Sequence, residues 1–251
     1  MTESAKQHSI IYARFMVAIL LLAQILAYVD RQVVAIVVDP MKQDLSLTDT
    51  QVGWLYGVFA IFYALAGIPI ARLADRKKRT NLIALGVLIW SAMTMFSGVA
   101  KNFWQILIAR TGVGSAEAAL VPAGTSLITD LFPPERVPLA VSVFNSGSVF
   151  GSGLAFVIGG TVLALIGESG EPLLPILSGL STWQQFFIYC GAPGLLLVPV
   201  FLVVREPARA ILRSGQAAAP VSDVLDFYRE NRRLMVAHHL GFLAFSLLGF
   251  G

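Results

Sequence analysis

Charge is the scarcest property of this sequence. Asp, Glu, Lys and Arg supply 13% of its 251 residues, where a soluble domain carries roughly 25%. Apolar residues make up 56%, and a chain of that composition reads as a membrane protein. Cysteine is nearly absent. The single Cys190 excludes an internal disulfide and any cysteine metal cluster. The three histidines, His8, His238 and His239, show no metal-ligand spacing. No hydrolase serine motif or phosphate loop occurs. Gly112-Val-Gly114 lacks the third glycine of a nucleotide fingerprint, and no strand precedes it. The sequence therefore points away from an enzyme, and no cofactor or metal is expected. The net charge of +3 does not indicate nucleic acid as a partner, because the basic residues alternate with apolar runs.

Those runs are what the sequence has in abundance. A helical span needs about 20 apolar residues. Six complete spans are expected near 12–38, 51–71, 81–100, 103–126, 137–166 and 185–204, and a seventh starts near 235. The domain division that follows is a six-helix bundle over 1–204, a linker with an amphipathic helix over 205–234, and the start of a seventh span over 235–251. The first run is too long for a signal-peptide core, and no small-residue cleavage site follows it. Within the linker, 208–220 reads as irregular. Val221–Met235 reads as an amphipathic helix lying on the membrane face, with Ser222 as its N-cap.

Basic residues set the orientation. Lys6 and Arg14, then Arg72, Arg76, Lys77, Lys78 and Arg79, then Arg136, and finally Arg205, Arg209, Arg213, Arg229, Arg232 and Arg233 fall on one side. The other side holds Lys42 and Lys101 beside Asp39, Asp44, Asp49, Glu168 and Glu171. The positive-inside rule puts the N-terminus in the cytoplasm.

Against this apolar background, charge inside a span is conspicuous. Asp30, Arg31, Arg110 and Glu117 lie well inside spans one and four. Each costs about 2.5–3.5 kcal/mol at a helix centre on insertion scales, so a helix that only had to span would not carry them. The bland alternative is a neutral set that fixes helix register. Arg110 and Glu117 are separated by roughly 10 Å of rise on one face and are free to reach other helices. Asp30 with Arg110 is the expected cross-helix pair. Asp30 and Arg31 point about 100° apart and are expected to meet different neighbours. Burial favours a neutral carboxyl group and a nearby arginine favours the charged one, so Asp30 and Glu117 are the candidate proton-coupling groups. Arg31 and Arg110 are candidate ion-pair partners or anchors for an anionic substrate. Tyr28, Tyr56, Tyr63, Asn145 and Ser148 are candidates to line a cavity. Gly147, Gly151, Gly153, Gly159 and Gly160 in span five read first as helix packing, with a bending point as the alternative.

The loop Ala71-Arg-Leu-Ala-Asp75-Arg76-Lys-Lys-Arg79-Thr80 resembles the signature between helices two and three of the major facilitator superfamily, Gly-x-Leu-(small)-Asp-Arg-x-Gly-Arg-(Lys/Arg). Leu73, Asp75, Arg76 and Arg79 match, whereas Ala71, Lys78 and Thr80 depart from it. Leu131-Phe-Pro-Pro-Glu-Arg136, Trp183-Gln-Gln-Phe-Phe and Arg205-Glu-Pro are similar to the family as well. Tyr28-Val-Asp30-Arg31, with Arg110-x-Gly112-x-Gly114-x-x-Glu117, resembles the Spinster branch more narrowly.

The resemblance implies an all-α membrane fold, the N-terminal six-helix half built from 3+3 inverted repeats, followed by a partial seventh helix. A C-terminal six-helix half is the implied partner, beside membrane lipids. It implies a secondary transporter in a bacterial inner (plasma) membrane, working by alternating access with protons as the coupling ion. Its substrate would be a lysolipid or related amphipathic anion. Asp75, Arg76 and Arg79 would form a cytoplasmic gate, with Asp75 meeting a helix N-terminus. A sugar-acid or organic-anion carrier of the same superfamily, or a lipid-binding receptor that moves nothing, are the alternatives.

Overall fold

The computed structural model describes residues 10–169, 174–207 and 221–250. These are helical apart from short turns, with no strand among them. They belong to two compact units, Met1–Ala208 and Arg209–Gly251. The expected linker at 208–220, together with Lys6, His8 and Glu171, lies outside the described residues, as does the capping role expected of the Ser222 side chain.

The first unit contains α1 (Ile10–Leu45), α2 (Asp49–Arg76), α3 (Arg79–Ser97), α4 (Phe103–Glu117), α5 (Leu120–Leu131), α6 (Val137–Ser169), a 3₁₀ turn (Pro175–Leu177) and α7 (Thr182–Val203). Six stretches are long and apolar enough to cross a membrane, α4 and α5 together making one of them. At 36 residues, α1 is about 54 Å long against a hydrocarbon core of about 30 Å, so it projects beyond the apolar layer.

Local chemistry starts the helices. Thr48 and Gln51 form a capping box at α2: the Gln51 N–H donates to Thr48 Oγ1 at 3.2 Å, and Gln51 Oε1 accepts from the Thr48 N–H at 2.9 Å. Asn102 Oδ1 accepts the Gln105 N–H at 3.1 Å at α4. Each satisfies backbone donors that a helix start leaves free. The turn before α2 passes through Ser46 at φ 51°.

The fourth span is the departure from expectation. It runs as one helix over 103–126 in the sequence reading, but the structure interrupts it between Glu117 and Leu120. Pro122 supplies the reason. It has no N–H to offer the carbonyl of Ala118, and its ring crowds that carbonyl. The chain tightens instead, with the Ala119 N–H donating to Ala116 O at 3.2 Å before the regular ladder resumes at Ala123. A short 3₁₀-type step therefore sits in mid-span.

Packing follows the inverted repeat. The helix of span one packs on spans five and six, span four packs on spans two and three, and span three packs on span six. Exchanging each span with the one three places on maps these pairs onto themselves, as two antiparallel three-helix repeats require. Span five meets span one along a seam of buried Ala140, Phe144, Gly147, Gly151, Ala155 and Gly159. A Cβ at Gly151 would lie 2.6 Å from Ile25 O and 2.7 Å from Tyr28 Cβ, so only glycine allows this approach. Gly153 and Gly160 face open space. The glycines that touch α1 are packing glycines.

The core has two parts. One gathers Met16, Leu20, Ala27, Val87, Trp90, Val113, Leu127 and Phe201. The other gathers Val29, Val33, Met41, Ile106, Trp183, Phe186 and Phe187. Along α1 the changeover falls at Tyr28, and along α4 it falls between Ile106 and Val113. Asp30, Arg31 and Arg110 lie at this join.

The bundle continues beyond the expected boundary at 204, because Glu206 and Pro207 bond into it. In the second unit the helical reading of Val221–Met235 divides into α8 (Val221–Glu230) and α9 (Arg232–Phe250). Asn231 separates them, its side-chain amide donating to Phe227 O at 3.0 Å.

Candidate functional site

Asp30 and Arg31 leave α1 in different directions. Asp30 is 2% exposed and points at α3 and α4. Its Oδ2 accepts the Thr94 hydroxyl at 2.5 Å, and its Oδ1 lies 3.8 Å from Arg110 Nη1. Arg31 points at the end of α4, where its Nε donates to Glu117 Oε2 at 2.7 Å. The structure thus brings the four charges together as two crosswise pairs between equivalent helices of the two repeats. The Asp30–Arg110 pair anticipated from the sequence is present as a contact too long for a hydrogen bond.

This cluster is incompletely bonded. Asp30 Oδ1, Arg110 Nε and Nη1, and Glu117 Oε1 are buried without a hydrogen-bond partner among the described residues. Unpaired buried polar atoms are rare because each costs the full loss of its hydration. Four of them in one cluster mark a place able to take up a proton, a water or a ligand group.

Aromatic rings complete the surroundings. The Arg31 guanidinium lies 4.5 Å from the Tyr28 ring centroid, 4.7 Å from that of Tyr63 and 5.2 Å from that of Phe59. The Arg110 guanidinium is 5.1 Å from the same Phe59 ring. These distances suit cation–π attraction, and Phe59 serves both cations. Phe59 is held close by Gly114, where a Cβ would fall 2.5 Å from the Phe59 carbonyl oxygen. Arg31 keeps 23% of its side chain exposed, so the cluster opens on the Arg31 side. Tyr56 is exposed on the Phe59 face of α2. Asn145 is exposed and Ser148 half-buried on α6, where the Ser148 hydroxyl donates to Asn145 O.

A second charged network lies at the start of α3. Arg79 is 1% exposed. Its Nη1 donates to Asp130 Oδ2 at 2.5 Å and to Ser126 Oγ at 2.8 Å, its Nε to Glu206 Oε1 at 2.8 Å and its Nη2 to Pro207 O at 3.4 Å. Glu206 Oε2 also accepts the Thr80 N–H at 3.3 Å. That carboxylate therefore satisfies a free donor at the positive end of α3. Asp75 and Arg76 are exposed and stand outside this network. Glu206 is thus a carboxylate held at a helix N-terminus.

The sequence and its fold have relatives. The family model of the Major Facilitator Superfamily matches residues 20–251. This chain belongs to that superfamily. It is 30% identical over 204 residues to an MFS-type efflux pump of Mycolicibacterium smegmatis, covering 81% of this chain and 44% of the relative. It is 28% identical to the probable L-galactonate transporter of Escherichia coli, covering 71% of this chain and 36% of the relative. Among solved structures, a bacterial homologue of the human lysosomal transporter Spinster, in its inward-facing and occupied conformation, superposes with a TM-score of 0.72 at 36% identity. That match covers 79% of this chain and 46% of the solved one. The chain spans less than half the length of these relatives.

Membership of the superfamily makes the chain an integral membrane protein of a transporter family rather than an enzyme. Several site residues in this superfamily member escaped the sequence reading. Thr94 is the donor to Asp30, and Ser91, Thr94 and Ser97 form a polar line at three-residue spacing in an otherwise apolar span, a signal that was available. Asp130 stands just before Leu131-Phe-Pro-Pro, and Glu206 stands within Arg205-Glu-Pro, so motif positions held the partners of Arg79. At the opposite end of the bundle, Asp44 Oδ2 accepts from Trp183 Nε1 at 2.7 Å and from the Ser181 hydroxyl at 2.8 Å. This ties the end of α1 to the start of α7.

Proposed function

We propose that this chain is the N-terminal half of a proton-linked secondary transporter that moves a lysolipid or related amphipathic anion by alternating access. The observation that carries the reading is the incompletely bonded charge cluster. It combines two carboxylates, two guanidiniums and three aromatic rings. A guanidinium kept open and flanked by rings suits an anionic head group next to an apolar tail. Glu117 holds Arg31, so an anion that takes Arg31 releases the carboxylate, and a freed buried carboxylate binds a proton more readily. That competition is a coupling mechanism in which each ligand shifts the affinity for the other.

In this reading the basic end of the bundle faces the cytoplasm of a bacterial cell. The Arg79 network, with exposed Asp75 and Arg76 beside it, acts as the cytoplasmic gate. The resemblance to the Spinster branch, which implies a lysolipid, supports the lipid-like substrate. The galactonate relative supports a second reading, a sugar acid whose carboxylate meets the same arginines.

The experiment uses the complete protein in proteoliposomes under an imposed pH gradient, with labelled lysolipid and labelled sugar acid tested in parallel. Gradient-driven lysolipid flux that Asp30→Asn uncouples from pH is the expected result. Sugar-acid flux alone rejects the lipid substrate. Binding without flux of either, beside a working control carrier, rejects transport.

A further inference from the structure

A groove of about 510 Å³ runs between α1 and α6 at the basic end of the bundle, away from the charge cluster. Its walls are apolar, including Val17 and Leu21 from α1 and Leu139 and Val143 from α6. Leu139 is 70% exposed and Val143 40% exposed, so the trough is open along its length. Two cations stand at the groove, Arg14 from α1 and Arg136 from the turn before α6. Both are exposed, and neither makes an ion pair among the described residues. Glu135 adjoins Arg136 in sequence without pairing with it.

Arginines beside an open apolar trough match one chemistry, an anionic head group continued by a hydrocarbon chain. From Arg14 to Leu21 the trough follows α1 for roughly 10 Å, enough for the upper part of an acyl chain. Snorkelling arginine stems cover the apolar wall while their heads reach the phosphate level. Covering the same trough with a protein helix would bury two guanidiniums that make no ion pair among the described residues, a large cost unless that helix brought acids. The geometry points to this groove as a binding site for one anionic phospholipid, its phosphate held between Arg14 and Arg136 and one chain lying against Leu21 and Val143. Only the choice of cytoplasmic leaflet rests on the orientation proposed above. The binding itself is independent of transport.

The test is native mass spectrometry of the complete protein, delipidated and titrated with phosphatidylglycerol or phosphatidylcholine. The expected result is one retained phosphatidylglycerol held roughly thirtyfold more tightly than phosphatidylcholine, as two juxtamembrane cations imply. Arg14→Ala with Arg136→Ala removes the preference, and Arg14→Lys with Arg136→Lys keeps it. Leu21→Trp, which fills the trough, weakens retention of both lipids. An unchanged preference in the double alanine variant overturns the proposal. So does equal competition by glycerol phosphate, which would show a head-group site without the groove. Because no flux is measured, this failure is separate from failure of the transport reading.

Discussion

Two arginines are almost fully buried in this bundle, and their surroundings differ. Arg79 donates to two carboxylates, a hydroxyl and a backbone carbonyl. Arg110, 3% exposed, has one carboxylate at 3.8 Å, a ring beneath it and two nitrogens without a hydrogen bond. A saturated buried charge holds one arrangement, because every rearrangement breaks bonds that water does not replace. An unsaturated one is ready for a new partner. In the proposed function, the end of the bundle locks and the middle exchanges.

The contrast can be broken at either end. Arg79→Ala should give the largest loss of stability, about 3–5 kcal/mol, because it removes a buried guanidinium that donates to two carboxylates. A fall in the detergent unfolding midpoint of the complete protein checks this, and an unchanged midpoint would remove the lock. Arg31→Ala takes one donor from one buried carboxylate, Glu117, so it should cost less stability than Arg79→Ala, about 1–3 kcal/mol, and cut flux by roughly tenfold or more, about 1.4 kcal/mol of lost anion binding. If the midpoint falls as far as it does for Arg79→Ala, the two sites are not different in kind.

Smaller changes sharpen the comparison. Gly114→Ala should cost about 1–3 kcal/mol by forcing α2 off α4 and should displace Phe59 from both guanidiniums. Thr94→Val removes the hydroxyl bond to Asp30 and should cost about 1.5–3 kcal/mol if the acid stays charged. Less than that would indicate that Asp30 protonates when its donor is lost, and pH-dependent unfolding separates the two cases. Gly153→Ala, on the same helix as the packing glycines but facing open space, should change stability by no more than about 0.5 kcal/mol.

The spans were legible in the sequence because twenty apolar residues in a row have few other uses. The four intramembrane charges were legible because they are costly, and Asp30 with Arg110 was the expected pair, whereas the Arg31–Glu117 pair emerges only from the fold. What the sequence concealed was which ordinary-looking residues complete the site. Phe59 is one aromatic residue among several in span two until two guanidiniums are found over it. Asp130 and Glu206 flank loops as solvated acids do, and only the fold carries them to Arg79. The division of the fourth span was readable from Pro122 alone, but an apolar run of full length hid it. Asp75, prominent in the family signature, is exposed in this bundle.

The interrupted fourth span also sets a phase relation. Glu117 ends α4, while Ser126 and Asp130, which hold Arg79, belong to α5. In one unbroken α-helix the azimuth between these acids would be fixed by the step of roughly 100° per residue. The tighter turn through Ala118 and Ala119 resets it, advancing the second segment by a larger angle per residue. A few degrees of torsion at two alanines then re-aim Asp130 against Glu117 without unwinding either helix. The charge cluster and the Arg79 network are two pointers on one shaft, with a joint two residues long between them.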